Sequence, residues 1–501
     1  MVWYLVIILV YNLVLLGFNI YRSRKVKGHE DFMVAGRSLS IHVIVFTLIA
    51  TWIGSGTFIA GAEYAYHAGF SSLWLPAGAW LGIIIIYFLA AKIRTFGQYT
   101  IGDILEVRYG RFARLFGTIA LIIASVTIVS YQFRAGGYIL NIITDNQISV
   151  AWGQAISAFF IIGFTITAGM ISVAHTDLPN GILILVACVV AVPFVVIKAG
   201  GVPEALQTLP KGHFQVFNQD FGVHPTLKAF GFFLATLFLL LGEQSMYQKF
   251  YSAKTPKQAR SAVSLWIVGT IIVEVVIVLI AIFAAVYFWG QGKEGGEMVL
   301  LAARHMVPAP IGIMLLAAAW AVLLSTGTNF LLSPSTNVMR DIIQQFSGKS
   351  LSERQQVLGQ KIAVFILGCI AFSMIFIPTI LQKPISVLQS AYFAYTMYGV
   401  SITPALIAAL AWRRATRWGG LASILSGALV TLFLDKLVPV LWPSAMQGTE
   451  LYGKDPWGIP VIFPAIVISL GTLIVVSLLT PPPDKKVIEQ LFPDKNRQNA
   501  S

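Results

Sequence analysis

The chain contains a long series of apolar stretches, each about the length of a membrane-spanning helix. A helix needs about 20 mostly apolar residues to cross the hydrocarbon core of a bilayer. Of the 501 residues, 57% are hydrophobic and only 11% are charged, so too few polar side chains are present to cover a soluble protein of this size. Cytosolic enzymes, secreted domains and disordered scaffolds are therefore excluded. The sequence predicts an all-α polytopic protein of the cell membrane with about 13 transmembrane helices, at about 2–20, 40–66, 70–93, 113–143, 150–172, 179–199, 227–248, 262–290, 307–334, 359–379, 385–411, 418–438 and 461–480.

The lysines and arginines are concentrated in alternate connectors between these stretches. Basic residues favour the cytoplasmic side of a membrane protein. The pattern therefore predicts an outside N-terminus and a cytoplasmic C-terminus. The net charge of +13 follows from this topology, and we expect no nucleic-acid partner. With 13 crossings, one side receives 25 of the 34 basic residues, in 21–39, 92–114, 249–261, 340–361, 412–417 and the C-terminal tail.

The connectors are too short for a separate soluble domain. We expect one transmembrane domain over residues 1–480 and a short polar cytoplasmic tail over 481–501. The sequence has no GxxxxGK[ST] loop for ATP, no histidine spacing typical of a catalytic metal and no Ser/His/Asp set. Cys188 and Cys369 lie inside apolar runs, which argues against disulfides and structural zinc. We therefore expect no enzyme activity, no organic cofactor and no obligatory protein partner.

The second apolar stretch contains a run of residues that weakens a helix. It reads Ala50-Thr51-Trp52-Ile53-Gly54-Ser55-Gly56-Thr57. Irregular backbone inside a membrane is tolerated only where it is buried in protein or lines a water-filled cavity. Broken helices of this kind place coupling ions near the bilayer midplane in transporters. The alternative is that the two glycines form a small-residue packing face.

A second polar cluster lies in the ninth stretch, where Ser325 and Thr326 are adjacent in an apolar run. Hydroxyl and carbonyl oxygens suit Na⁺, which is a hard cation, without the burial of a carboxylate. Serine and threonine in helices also bond back to their own helix carbonyls, which is the simpler explanation for this pair alone. Together with the broken second helix, the pair favours a cation site.

Four of the charged residues within or next to the apolar stretches are functional hypotheses, because a charge in a membrane is costly. Asp177 is either a carboxylate at a helix N-terminus or part of a cation site. Glu243 either snorkels or is paired. Arg134 either contacts an anionic group of a solute or pairs with a buried carboxylate, and the pair with Glu243 is the interpretation we favour. Glu274 has no partner that the sequence suggests.

Eight short motifs together resemble the sodium/solute symporter family, which includes carriers of proline, pantothenate, sialic acid, galactose and choline. Thr100-x-x-Asp103 in the third motif is also typical of a capping box that opens a short cytoplasmic helix. Each motif is weak alone, but their order and the predicted topology are those of the family. The motifs are Asp31 to Leu39, Ala50 to Gly56, Tyr99 to Gly110, Thr176-Asp177, Gln248-Lys249 with Ser252 to Lys254, Ser325-Thr326, Thr403 to Leu406 and Arg413 to Gly420.

The resemblance implies a LeuT-type fold, in which two five-helix repeats have inverted topology. The repeats would comprise spans 2–6 and 7–11, at about 40–199 and 227–411. The family's sodium site uses carbonyls of the broken helix and hydroxyls of the ninth span. By resemblance, the sodium ligands are Ala50, Ile53, Val322, Ser325 and Thr326.

Some members similar to the sialic acid carrier hold a second sodium near an aspartate of the sixth span. Asp177 matches that aspartate, and the possible partners here are Thr328 and Asn329 rather than two serines. The resemblance therefore supports this second cation site less strongly than the first.

The resemblance also bears on the solute. Sugar carriers have a glutamine where this chain has Thr57, so a sugar is disfavoured. The broken-helix motif is most similar to that of the choline carrier, in which a tryptophan offers a cation–π face. The tryptophan partners of that carrier are missing here, and packing is an equal role for Trp52. Expected cavity residues are Trp52, Thr57, Trp74, Glu243 and Tyr395, which suit a small cation or zwitterion.

These observations predict a sodium-coupled secondary active symporter that imports a small organic solute by alternating access. An amino acid, a quaternary amine or another small zwitterion or cation is favoured over a sugar. The alternatives are a proton-coupled symporter that uses Asp177 or Glu243, and a transporter-like membrane sensor. An ion channel and a membrane-embedded enzyme have less support in the sequence.

Overall fold

The computed structural model of the chain describes residues 2–23, 35–96, 100–167, 170–345, 352–449 and 453–491. The first part of the Asp31–Leu39 motif, Tyr99 and residues 492–501 of the predicted tail lie outside these described residues. Statements about the structure below concern the described ranges.

Most of the described chain is helical, and one two-stranded hairpin follows the twelfth predicted span. The hairpin pairs β1 (Met446–Thr449) with β2 (Gly453–Pro456) in antiparallel register. The helices are α1 (Val2–Ser23), α2 (Ile41–Trp52), α3 (Ala62–Ala68), α4 (Trp74–Phe96), α5 (Ile101–Tyr109), α6 (Arg111–Ile143), α7 (Val150–Thr167), α8 (Met170–Lys198), α9 (Gly201–Thr208), α10 (Pro225–Gly242), α11 (Gln244–Ser252), α12 (Pro256–Phe288), α13 (Met298–His305), α14 (Ala309–Asn337), α15 (Glu353–Ile380), α16 (Val387–Ala411), α17 (Arg417–Leu432), α18 (Val438–Leu441), α19 (Ile462–Leu479) and α20 (Lys485–Leu491).

Eleven helical segments of the described chain are long and apolar enough to cross a membrane, judged by length and composition. Two shorter apolar helices, Leu5–Asn19 and Ile41–Trp52, correspond to the first predicted span and to the first half of the second. The all-α polytopic class is therefore confirmed. The number of spans and the sides of the termini stay predictions.

Two of the membrane helices are interrupted. The helix α2 ends at Trp52, Ile53 turns to ψ 96°, and a wide helical turn over Gly56–Gly61 leads into α3. The helix α10 likewise ends at Gly242, and Glu243 adopts an extended conformation (φ −75°, ψ 114°) before α11 begins. These are the first helices of the two predicted repeats. The first break was predicted and the second was not.

The second break allows a close helix approach. A Cβ added at Gly242 would lie 2.2 Å from Thr403 Oγ1 on α16. A side chain at this position would therefore separate α10 from α16, which pack closely along their length.

The helices around the first break form the centre of the molecule. The helix α2 packs on α8 and α12, while α14 packs on α6, α8 and α2. The residues of α14 from Leu315 to Asn337 are all buried. Polar side chains on this buried stretch must find partners inside the protein, because an unsatisfied polar group in an apolar environment is costly.

The capping box predicted at Thr100 is confirmed. Asp103 N donates to Thr100 Oγ1, and Thr100 N donates to Asp103 Oδ2. The box orients α5 so that Asp103 reaches the ion cluster described next.

A buried ion cluster joins α5, α6 and the end of α14, on the side predicted to be cytoplasmic. Arg114 Nη2 lies 2.9 Å from Asp103 Oδ1, and Arg114 Nε donates to Asp341 Oδ1 over 2.9 Å. Asp341 also accepts a hydrogen bond from Thr118 and is 0% exposed. The cluster ties the lower part of α14 to α6.

Candidate cation and solute sites

The hydroxyl of Thr326 lies at the first helix break. Thr326 Oγ1 is 3.5 Å from the carbonyl oxygen of Ala50, 3.2 Å from that of Thr51 and 3.4 Å from that of Ile53. The last carbonyls of a helix lack intrahelical partners, which leaves them available to other groups. Three carbonyl oxygens and a hydroxyl therefore converge at one point.

Gly54 makes this convergence possible. A Cβ at this position would lie 2.9 Å from both Cγ2 and Oγ1 of Thr326. The small residue therefore has a specific role here, because it lets the ninth span approach the backbone of the broken helix.

The other two predicted sodium ligands lie on α14 beside Thr326. Val322 precedes Thr326 by one helical turn, so the Val322 carbonyl points towards the turn that carries Thr326. The Ser325 hydroxyl donates to Asp177 Oδ1 over 2.6 Å. Ser325 therefore connects the convergence at the break with the Asp177 carboxylate.

Asp177 accepts hydrogen bonds from three side chains. Besides Ser325, they are Thr47, at 2.5 Å from Oδ2, and Asn329, whose Nδ2 is 3.2 Å from Oδ2. Asp177 lies inside α8 and is 1% exposed, so of the two alternatives for this residue the structure does not support the carboxylate at a helix N-terminus. The structure brings Asp177 and Asn329 together. The hydroxyl of Thr328 has no hydrogen-bond partner among the described residues.

A lysine completes this cluster. Lys249 Nζ on α11 is 3.0 Å from Asn329 Oδ1 and 3.4 Å from the carbonyl oxygen of Ser245, and Lys249 is 0% exposed. The second predicted cation site therefore already has an ammonium group next to it. Lys249 stood in a family motif, but the sequence alone did not place it beside Asp177.

A cavity lies next to the first break. Among the predicted cavity residues, Trp52, Thr57 and Tyr395 line it. Its polar wall also includes residues that were not predicted as solute contacts, namely Thr51, Ser72, Gln132, Glu274 and Thr326. Because Thr51, Trp52 and Thr326 border both the cavity and the Thr326 convergence, the two sites share their wall.

Two predicted cavity residues lie elsewhere. Trp74 Nε1 donates to the carbonyl of Val216, and its ring stacks on Phe217 with centroids 5.1 Å apart. Glu243 caps α11, because its carboxylate accepts bonds from Ser245 N at 2.8 Å and Met246 N at 2.9 Å. The pattern of apolar residues did not predict where these two side chains point, because Trp74 is the first residue of a helix and Glu243 lies in the break between two helices.

The favoured ion pair between Arg134 and Glu243 was also wrong. Arg134 Nε donates to the Tyr138 hydroxyl over 2.9 Å, and that hydroxyl donates to Glu294 Oε2. The carboxylate of Glu243 is instead occupied by the first turn of α11. Arg134 therefore belongs to a different polar layer, near the connector that precedes α13.

Glu274 is the main functional candidate that the sequence did not assign. Its Oε1 accepts the indole N–H of Trp52 over 3.0 Å, and its Oε2 accepts that of Trp80 over 2.6 Å. It is 3% exposed and lines the cavity. The signal in the sequence was a carboxylate inside an apolar stretch, but its partners lie 222 and 194 residues away and could not be named.

Known transporters are similar to this chain over most of its length. The chain is 24% identical to the high-affinity proline transporter of Bacillus subtilis (strain 168), over 95% of this chain and 98% of that protein. It is 25% identical to the human high affinity choline transporter 1, over 85% of this chain and 76% of that protein.

Solved structures of other proteins have the same fold. A substrate-bound, outward-open Na⁺-coupled sialic acid symporter matches with a TM-score of 0.78 at 17% identity, over 96% of this chain and 98% of that one. MhsT in complex with L-phenylalanine matches with a TM-score of 0.54 at 15% identity, over 87% and 98%. The fold is therefore of the LeuT type, as the resemblance implied.

A family model gives the most direct assignment. The model of the sodium:solute symporter family matches residues 32–427, from the motif before the second span to the twelfth span. This match covers most of the chain and includes both helix breaks, Asp177, Glu274 and the Ser325-Thr326 pair. This multi-pass membrane protein therefore belongs to the sodium:solute symporter family.

Proposed function

We propose that the chain is a secondary active symporter that couples Na⁺ entry to the import of a small zwitterionic or cationic solute. Sodium-coupled solute symport is the activity that the family and its relatives support. The observation that carries the proposal is the convergence of the Ala50, Thr51 and Ile53 carbonyls on the Thr326 hydroxyl, beside a cavity.

The first sodium would bind where these oxygens converge. Its ligands would be the carbonyls of Ala50, Ile53 and Val322 with the hydroxyls of Ser325 and Thr326. Hard cations prefer oxygen ligands, and these residues provide them without a carboxylate in direct contact. Asp177 would not contact the sodium directly. The Ser325 hydroxyl donates its proton to Asp177, so the lone pairs of the Ser325 oxygen point away from the carboxylate and are available to the ion.

Coupling between sodium and solute follows from the residues that border both the sodium site and the cavity. Sodium fixes the carbonyls on either side of Trp52, and Trp52 lines the solute cavity. A bound sodium therefore orders the solute site, and a bound solute in turn increases sodium affinity by the same factor. Movement of one repeat against the other would then expose both to the cytoplasm.

The alternatives have less support. Carbonyls and hydroxyls do not titrate near neutral pH, so the site at Thr326 does not suit proton coupling. Glu243 accepts bonds from the backbone of α11, which gives it a structural role. Asp177 has Lys249 close by and stays the candidate if coupling is to protons. Enzyme activity and a sensor role have no side-chain arrangement among the described residues that favours them.

The test is the thermal stability of purified protein in detergent during a Na⁺ titration, with K⁺ and Cs⁺ at the same ionic strength. A saturable, sodium-specific rise is expected for the wild type and should be lost in Thr326→Val and reduced in Ser325→Ala. Ser333→Ala is a matched control, because Ser333 is buried on the same helix and has no hydrogen-bond partner in the described chain. Equal responses of all four proteins to the three cations would contradict the proposal.

A further inference from the structure

Glu274 is a buried carboxylate on the cavity wall with only neutral donors. The two indole N–H groups of Trp52 and Trp80 bind one oxygen each. A carboxylate has about four lone-pair positions, so about two remain unused. No lysine or arginine of the described chain forms an ion pair with Glu274, and its carboxylate lies on α12 in the middle of a predicted span.

Such a group is expensive unless a cation joins it. Ionised side chains within a membrane almost always pair with another charge or face a water-filled cavity. The indoles of Trp52 and Trp80 orient the Glu274 carboxylate but bring no positive charge. The partner with opposite charge would therefore arrive from the cavity, because the oxygens that surround Thr326 Oγ1 do not include those of Glu274.

We propose that Glu274 is the counter-ion for the transported solute, and that this solute carries an ammonium group with at least one N–H. This inference rests on the proposed symport function and names the chemistry of its substrate. The ammonium would donate to the unused lone pairs of Glu274, and such charge-assisted bonds are among the stronger hydrogen bonds in proteins.

The tryptophans favour an N–H ammonium over a quaternary one. A quaternary ammonium cannot donate a hydrogen bond and is recognised by the faces of several aromatic rings. Here the N–H edges of Trp52 and Trp80 are directed at Glu274, and Trp52 meets Trp266 edge-on with centroids 6.5 Å apart. The wall therefore presents an oriented acceptor rather than a cage of ring faces.

Other polar atoms of the cavity suit an acceptor on the same solute. Gln132 uses its Oε1 to accept from the backbone and hydroxyl of Ser55, which leaves Nε2 as a buried donor without a partner. The hydroxyls of Thr51 and Ser72 are also buried and unpartnered, and all three residues line the cavity. A carboxylate or carbonyl on the solute would satisfy these donors, so a zwitterion fits better than a simple amine.

Sodium would act on this contact through Trp52. The carbonyls of Thr51 and Ile53, on either side of Trp52, are those that lie near Thr326 Oγ1. A sodium that fixes this backbone also fixes the indole that orients Glu274. Affinity for the ammonium should therefore depend on sodium, although Glu274 itself is not a sodium ligand.

The experiment measures thermal stability at saturating Na⁺ for wild type and for Glu274→Gln. The probes are the twenty common amino acids and ethanolamine, with glycine betaine, proline betaine and choline as N-methylated counterparts of glycine, L-proline and ethanolamine. At least one N–H ammonium should stabilise the wild type, and its N-methylated or neutral analogue should bind about 10- to 100-fold more weakly, as expected for the loss of a hydrogen bond to a charged group.

The variants separate this inference from the proposed function. Glu274→Gln should keep the sodium-dependent rise in stability, which also shows that it folds, and should lose the response to the N–H solute. Trp80→Phe keeps an aromatic ring but removes one donor, and should weaken solute binding while it keeps the preference for N–H. Glu297→Gln, on the connector before α13, is the matched control and should respond as the wild type does.

Three results would overturn the assignment of Glu274. They are binding of N-methylated solutes at least as tight as that of their N–H parents, an unchanged solute response in Glu274→Gln, and no stabilisation by any N–H probe while the sodium response is intact. If sodium does not raise the thermal stability of the wild type, the proposed symport function is overturned instead.

Discussion

The ammonium nitrogen of Lys249 lies 3.0 Å from the amide oxygen of Asn329, inside the protein. The amide nitrogen of the same Asn329 donates to Asp177, so one asparagine connects a buried cation to a buried anion. This arrangement gives the second predicted cation site a positive charge that belongs to the chain.

Removal of the Lys249 charge should allow a sodium ion to bind beside Asp177. In Lys249→Met, Asp177 would lack its nearby cation, and we expect a second sodium to bind there. Each additional bound ion adds about 1.4 kcal/mol of stability per tenfold rise in Na⁺ above its dissociation constant. The increase in unfolding free energy per decade of Na⁺ should therefore approach twice that of the wild type.

The control for this titration is Lys254→Met, since Lys254 is exposed on the connector after α11. A slope in Lys249→Met equal to that of the wild type would show that Asp177 does not recruit a cation.

Gly54 should be essential for sodium binding. A methyl group in Gly54→Ala would meet Thr326 at 2.9 Å, and overpacking of this kind costs about 1–3 kcal/mol. We expect sodium affinity, measured by the Na⁺ midpoint of thermal stabilisation, to fall about 10-fold or more. Gly163→Ala on α7 is the matched control, because nothing lies within 4 Å of its added Cβ. Wild-type affinity in Gly54→Ala would mean that Thr326 does not contact the ion.

The ion cluster at the lower end of α14 should contribute strongly to stability. Asp341→Ala removes one of the buried carboxylates that contact Arg114, while Asp103 stays 2.9 Å away. Loss of one member of a buried pair costs about 3–5 kcal/mol, which is the upper limit of the expected loss. The neighbours Asp435 and Lys436, whose side chains are 23% and 56% exposed, form the comparison, since Asp435→Ala removes a partly solvated pair worth about 0–1 kcal/mol. Thermal or denaturant unfolding in detergent would measure both, and similar losses for the two variants would contradict this account.

The connector before α13 predicts a specific pH dependence. Burial, and next the nearby Glu294 carboxylate, raise the pKa of Glu297 from its ordinary value of 4.5 to about 7, against weaker opposing effects of Lys293 and Arg134. The folded state therefore binds this proton more tightly than the unfolded state does. This group's contribution to stability is present below about pH 4.5 and is lost as the pH rises through about 7.

The measurement is the difference in stability between wild type and Glu297→Gln from pH 4.5 to pH 7.5. The comparison is needed because burial lowers the pKa of His213 and of His305, and these histidines make stability rise with pH. A difference that decreases steadily with pH is expected, and a flat difference would exclude the raised pKa of Glu297.

Much of the fold followed from local features of the sequence. The apolar stretches predicted the membrane helices, Thr100-x-x-Asp103 predicted a capping box, and the glycines near Ile53 predicted the first break. Each of these depends on residues close together in the chain. The second break gave a weaker signal, because only Gly242 precedes Glu243 where the helix ends.

The side-chain contacts of the sites depended on distant residues. Glu274 is oriented by Trp52 and Trp80 from other helices, and Lys249 reaches Asn329 across 80 residues. A helix break also changes the direction of the following side chains, so Glu243 faces the start of α11 rather than the cavity. Sequence position alone does not determine which charges meet after the helices have packed.

The cap that Glu243 places on α11 has an electrical consequence. The start of a half-helix inside a membrane carries a partial positive charge, and transporters of this architecture use such ends to hold the anionic part of a solute. Here the carboxylate of Glu243, which belongs to the chain itself, already occupies that end. Under the proposed function this end would therefore not hold an anion, and the anionic end of a zwitterionic solute would be held by neutral donors such as Gln132.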